Sequence, residues 1–459
     1  MFGKFGRFGM LGLVAVAAVA ADAATITKQV VRQQWPWNQK VVIDYRLDCP
    51  IDESYKVDVT IEDPNGEALT VLANSFCGDL TDVSCGDHRI VWDPAKSGLT
   101  DFSAVASKFR LSLRKPIGPK YMVVDISAGN GADATYSVSY SNVHPHPGPV
   151  TWQQHLAGEP CLSTQIILRR VDAGAYVMGS PESELGRNAK GNERQHVVVL
   201  TNDFYLGIIP VTCAQYLKVW TGEWKDTYKN SSMPVQLVTW NDVRGTPCAT
   251  TDVAENSWLG LLRAKTTGGS PLPEGYVFDL PTEAQWEYAC RAGTTTAWNN
   301  GTDTDYYLTY SHRYTEHPPV TNTVDYACDR NFDSLGAICQ YRYNDADREH
   351  GYLTQPGPQW LMQAAQVSNA WDFIEMHGNV SEMTATALWK DAAIDEQDFD
   401  GSTQIEPRGG GGSYCVARGG DWCMPVRWSR SAARNKAFGY TQKANNVIGF
   451  RLALVKEVK

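Results

Sequence analysis

Leu280-Pro281-Thr282-Glu283-Ala284-Gln285-Trp286-Glu287-Tyr288-Ala289-Cys290-Arg291-Ala292-Gly293 is a helix with both ends written into it. Thr282 and Gln285 have the spacing of a capping box, in which two side chains take up amides that the first turn leaves unsatisfied. Trp286, Ala289 and Cys290 recur on one face, which is expected to point inward, and Gly293 supplies the stop. Upstream, Thr212 is placed to cap a second helix through Trp220, with Tyr216, Leu217 and Trp220 on one face. Aromatic content of 11%, with 39 Gly and 23 Pro, argues for a loop-rich chain ordered by large side chains rather than by long helices.

Nearer the N-terminus the period changes from helical to alternating. Lys56 to Ile61, Phe109 to Leu113 and Tyr121 to Ile126 alternate, with turn formers such as Asp63-Pro64-Asn65-Gly66 between them. Short strands at this spacing predict an all-β, sandwich-like domain over residues 24–150. It gathers no His/Cys/Glu cluster, so a spacer or recognition role is expected of it. His144-Pro145-His146-Pro147-Gly148-Pro149 cannot continue a strand or helix, because proline lacks an amide proton and fixes its own φ, and it reads as a linker. A second domain is expected over residues 160–457, and two domains suit a chain of 459 residues.

The first residues bear on compartment. Lys4 and Arg7, an apolar run from Met10 to Ala21, and Ala21-Asp22-Ala23 have the order of a signal peptide, so residues 1–23 are expected to be removed and the chain to be secreted or periplasmic. No later run reaches the roughly 20 apolar residues of a membrane span. Loss of Lys4 and Arg7 lowers the basic count from 41 to 39 against 51 acids, taking the net charge from -10 to -12. An acidic surface with no basic run repels a phosphate backbone, which argues against nucleic acid as a partner. Eleven cysteines in an exported chain invite disulfides; Cys77 and Cys85 flank a turn that such a bond could close.

The second domain carries an ordered set of short motifs. They are Ala173 to Ser180, Asp203-Phe204-Tyr205-Leu206-Gly207, the helix quoted above, Asn369-Ala370-Trp371, Met376 to Glu382, Arg418-Gly419-Gly420-Asp421-Trp422, Arg430 to Arg434, and Gly449-Phe450-Arg451-Leu452. In this order, over almost the whole domain, they resemble the sulfatase-modifying-factor family, the family of the formylglycine-generating enzyme. The resemblance implies an α+β fold, an irregular variant of the C-type-lectin type. It also implies an oxidase that converts a cysteine of a sulfatase peptide to an aldehyde with oxygen and copper(I).

Two thiolates hold that copper, as a soft cation prefers soft ligands in low coordination. Cys423 lies near the first of the two family positions and is the candidate catalytic residue; Trp428 or Ser429 stands at the second. Cys415 is the nearest substitute. Were Arg418 to Trp422 extended, about 3.3 Å per residue would hold Cys415 and Cys423 roughly 26 Å apart. Asp421 replaces the family's serine, and Ser381-Glu382-Met383 its Trp-Glu-Trp. These departures favour a non-catalytic module binding a peptide, protein or glycan through loops such as residues 299 to 350, with the oxidase as the alternative. The resemblance also implies a calcium site from Glu375, Gly378, Val380 and Glu382, since a hard cation needs several converging oxygens. Arg418, Arg434 and Arg451 read as fork-like donors that tie loops together, with Gly419 and Gly420 as part of the same structural motif. His377 reads as a loop histidine in a structural hydrogen bond.

Overall fold

The computed structural model describes residues 24–34, 38–145, 160–184, 186–188, 193–224, 232–301, 339–340, 368–388, 403–408, 414–422, 424, 426–439, 444 and 446–459. The signal-peptide and linker expectations, most of the loop 299 to 350 and Cys423 fall outside them. The chain divides into two compact units.

The first unit comprises residues up to Leu69, Cys77–Pro94 and Thr100–Lys115. Its strands Thr25–Gln33, Val41–Asp48 and Gly86–Trp92 pair antiparallel, with Phe76–Gly78 on the far edge, while Lys56–Glu62 pairs with Lys108–Arg114. The alternation seen in the sequence sorts the faces: Val57 and Ile61 are fully buried, as are Ile43, Leu47, Ile90 and Trp92. Trp92, Phe102 and Phe109 meet edge-on. The Cys85 thiol lies beside Cys49; burial raises the pKa of Cys49, and Cys85 adds to the effect.

The second unit holds the rest, from Pro116 onward together with Thr70–Phe76 and Ala95–Leu99. Here the expected boundary near residue 150 moves. Tyr121–Asp125 and Tyr136–Ser141 form a hairpin inside a seven-stranded sheet whose order is Thr266–Gly269, 136–141, 121–125, Gln165–Val171, Phe204–Gly207, Ala453–Lys456, Tyr276–Asp279. The 121–125 strand pairs along its whole length with 165–171, Val124 opposite Ile166. Alternation identifies a strand but not its sheet, so a sequence pattern could not separate this hairpin from the strands before it.

A three-stranded sheet (Gly174–Met178, His196–Leu200, Gln404–Ile405) and a four-stranded sheet ordered Arg434–Gly439, Tyr414–Arg418, Ser381–Leu388, Ile448–Phe450 complete the unit. Helices are few and short, the longest described being the nine residues Glu283–Arg291. Both expected helices form: Thr212 caps Cys213–Val219 and Thr282 caps Glu283–Arg291, each with the reciprocal Gln bond three residues on. The second ends through Ala292 at φ 45°, one residue before Gly293. One expectation is corrected, because all nine residues of 283–291 are buried rather than one face alone. No described helix is long and apolar enough to cross a membrane.

If the hairpin belongs to the second unit, loosening the first should not loosen it. Ile43→Ala, which empties a fully buried site in the first unit, is expected to cost about 2–5 kcal/mol there. Hydrogen exchange should accelerate in strands 41–48 and 86–92 and stay unchanged in 121–125 and 136–141; parallel acceleration in both would place the boundary back near 150.

Candidate functional site

Motifs far apart in sequence converge around the 283–291 helix. Glu382 stands opposite Arg418 in the antiparallel pair of strands 381–388 and 414–418, and next to Gly449 in the parallel pair with 448–450. The strand stops at Arg418. Gly419 and Gly420 have φ of 93° and 77°, turning the chain so that Gly378 N donates to Gly419 O at 2.5 Å and Trp422 N to Asn379 O at 2.9 Å. Arg418 to Trp422 is therefore not extended, and the separation argued from an extended run does not apply. The glycines are required twice over: by left-handed φ, and because a Cβ on Gly420 would meet Ser429 Oγ at 2.4 Å and Trp428 O at 2.9 Å.

The arginines bind carboxylates in the interior. Arg418 pairs with Glu287 and, at 3.2 Å, with Glu283; Arg434 clasps Glu283 with two bonds of 2.5 Å; Arg291 reaches Glu287 at 2.8 Å. Gly179 N donates to Glu287 at 2.8 Å, and Arg291 returns a bond to Gly179 O at 2.8 Å. Burial opposes charge on Glu287, but Arg291 and Arg418 outweigh it and hold the carboxyl below its ordinary pKa. Arg430 makes a separate cluster with Glu193 (2.9 Å) and Glu184 (2.5 Å). All of these guanidiniums serve as ties, as the sequence suggested for Arg418, Arg434 and Arg451. Their partners Glu283 and Glu287 stand four residues apart, with Arg291 four further on, in the helix quoted at the outset.

The proposed calcium ligands are all buried, and one has another use. Arg451 donates from Nε and Nη2 to the two oxygens of Glu382 at 3.0 and 2.8 Å, and Trp286 Nε1 adds a bond at 2.7 Å. The same guanidinium reaches the carbonyls of Gly207 and Ile374, both at 2.9 Å, and of Glu375 at 3.2 Å. A guanidinium already sits on Glu382, so that carboxylate is engaged by the protein itself. Among the described residues no three His, Cys, Asp or Glu side chains converge to hold a metal ion.

Two cysteine environments lie nearby. Cys290 Sγ is 3.7 Å from His377 Nε2 and from Ser431 Oγ. His377 Nδ1 faces Ser429 O at 2.6 Å, and since a carbonyl only accepts, the proton is on Nδ1 and Nε2 accepts from Asn299 N at 3.3 Å. Burial pushes His377 down to about 4 and the Cys290 thiol up to about 12. The pair therefore stays neutral near pH 7 and lacks the thiolate an activated nucleophile needs. Cys415, the substitute copper ligand, turns to Cys248, their sulfurs 3.4 Å apart and both fully buried. Cys423 lies outside the described residues. Asp421 accepts from Ser381 Oγ at 3.3 Å.

A predominantly sheet domain with few helices and an Arg-Gly-Gly turn locked over a buried, ion-paired helix is the scaffold these motifs build. The model of the sulfatase-modifying factor enzyme 1-like domain matches residues 164–456, and the chain belongs to that family. No curated protein and no solved structure matches it.

Removing one arm of the lattice leaves a buried charge uncompensated. Arg418→Met should destabilise the second unit by about 3–5 kcal/mol in urea titration. Glu287 has a depressed folded pKa, so its contribution is present above the ordinary carboxylate range and is lost as pH falls through the folded value. Glu287→Gln should flatten the acid limb of the stability curve; an acid limb identical to wild type would remove Glu287 from this role.

Proposed function

We propose that the chain is an exported binding or assembly member of its family, presenting a peptide, protein or glycan surface on a scaffold from which the two-thiolate centre has gone. The observation that carries this is the orientation of Cys415. Its sulfur lies in the core against Cys248 at 3.4 Å, so the nearest candidate to join Cys423 as a second soft ligand is already engaged. Trp428 and Ser429, at the second family position, bring no thiolate. The first unit, whose strands gather no chemistry-bearing cluster in the sequence, suits an adaptor.

The scaffold's own chemistry supports the same reading. Glu382 and Arg451 neutralise each other within the core, which lets the segment from Glu375 to Glu382 hold its shape through protein groups. Calcium there would have to displace a guanidinium that makes six contacts with Glu382 and three carbonyls. The alternative remains a formylglycine-generating oxidase that uses Cys423.

Incubation with a cysteine-containing sulfatase peptide, copper(I), reductant and oxygen, followed by mass spectrometry, should show no conversion to formylglycine. Turnover that disappears in Cys423→Ser would establish the oxidase instead.

Chelator should leave the melting temperature where it is, because the Glu382 carboxylate is satisfied by Arg451. A calcium-dependent rise that Glu382→Gln abolishes would restore the calcium site.

A further inference from the structure

Cys248 and Cys415 are 167 residues apart, both fully buried, with sulfurs in contact at 3.4 Å. Each lies on backbone that is held from several sides. Cys415 is in the middle of the four-stranded sheet, opposite Ala387 on one neighbour and Phe438 on the other. Cys248 sits in a tight segment whose carbonyls are pinned by arginines: Arg244 donates to Thr246 O at 2.8 Å and to Pro247 O at 2.5 Å, and Arg408 donates to Cys248 O at 3.2 Å. Arg244 is itself anchored on Asp279 at 2.8 Å. The fold thus brings two thiols together and keeps their backbones from drifting apart.

We propose that Cys248 and Cys415 form an interior disulfide that joins the segment after helix Trp240–Val243 to the strand leading into the Arg-Gly-Gly turn. A disulfide needs its sulfurs near 2.05 Å, so closing the bond brings the two sulfurs together from the 3.4 Å that now separates them. The oxidant is an external disulfide, either glutathione disulfide or a thiol–disulfide oxidoreductase. One cysteine thiolate attacks it, forming a mixed disulfide and expelling a thiolate. The second cysteine thiolate then attacks the mixed disulfide at the cysteine sulfur and expels the other thiolate. The two cysteine protons end on the two expelled thiols, so one external disulfide is reduced for each bond made. Because both sulfurs are inaccessible in the finished fold, exchange takes place while the chain is still folding.

The full-length chain is reduced in denaturant, refolded in a buffer of reduced and oxidised glutathione, then alkylated under denaturing conditions and digested. Mass spectrometry should find the peptides containing Cys248 and Cys415 joined, two hydrogens lighter than their sum. Reductant should lower the melting temperature by roughly 5–10 °C, and Cys248→Ala should abolish that shift. Recovery of both cysteines as alkylated thiols, linkage of either to glutathione or to another cysteine, or a melting temperature indifferent to reductant would each overturn the proposal. The mapping is done on the wild-type chain, so a variant that fails to fold does not spoil it.

Discussion

Two carboxylates one helical turn apart, Glu283 and Glu287, are buried on a helix with no exposed face, and this fixes much of the second unit around them. Left alone, each would protonate or draw water inward, because transferring a charge into a low-dielectric interior costs several kcal/mol. Arg291 comes from the same helix, but Arg418 and Arg434 come from two strands over a hundred residues downstream. Helix and sheet therefore become mutually dependent. The helix cannot be buried until the strands bring their cations, and the strands bring buried cations that meet the carboxylates of the helix. Ion pairs of this kind contribute little net stability against a well-packed apolar substitute, yet they penalise every wrong register heavily. A slip of one residue in strand 414–418 would send Arg418 to the opposite face.

The same logic extends outward to Arg451 and Glu382. Arg451 Nη2 is shared between the carboxylate and the carbonyls of Ile374 and Glu375, so one side chain shapes a segment that includes two residues at positive φ, Glu375 at 58° and Asn379 at 62°. Non-glycine residues resist that region, and the strain persists only where the surroundings over-determine it. A guanidinium with fixed fork geometry holds the Ile374 and Glu375 carbonyls beside it. Burial of Asn379 also closes its Asn-Val-Ser sequon to any enzyme acting on the folded chain.

What was legible in the sequence was local. Capping boxes at Thr212 and Thr282 depend on residues three apart, and both form. A planar donor set inside a run of small and apolar residues has few uses besides tying loops, and in the structure Arg418, Arg434 and Arg451 each meet a carboxylate. Glu283 and Glu287 were not read as their partners, since acidic residues four apart usually mark a solvated helix face; the cations that turn this face inward are supplied from elsewhere. The hairpin at 121–141 was assigned to the wrong unit for a related reason, since a period of two is the same in every sheet. The contact of Cys248 with Cys415 had no local signal at all.

Strand alternation also settles which way the cysteine beside the Arg-Gly-Gly turn can face. Successive residues of 414–418 point to opposite sides, so Cys415 and Ala417 share one face and Val416 and Arg418 the other. Cys415 and Ala417 lie with Cys248 in the larger apolar core, whereas Arg418 reaches Glu283 and Glu287 under the turn. For Cys415 to serve chemistry on the Arg418 side, the strand would have to shift by one residue, and that shift would take Arg418 away from both glutamates. The register that the charges demand is thus the register that commits Cys415 to Cys248. A thiol two residues before a buried arginine and one before it are not interchangeable positions, and the parity of three residues from Cys415 to Arg418 decides that this one belongs to the core.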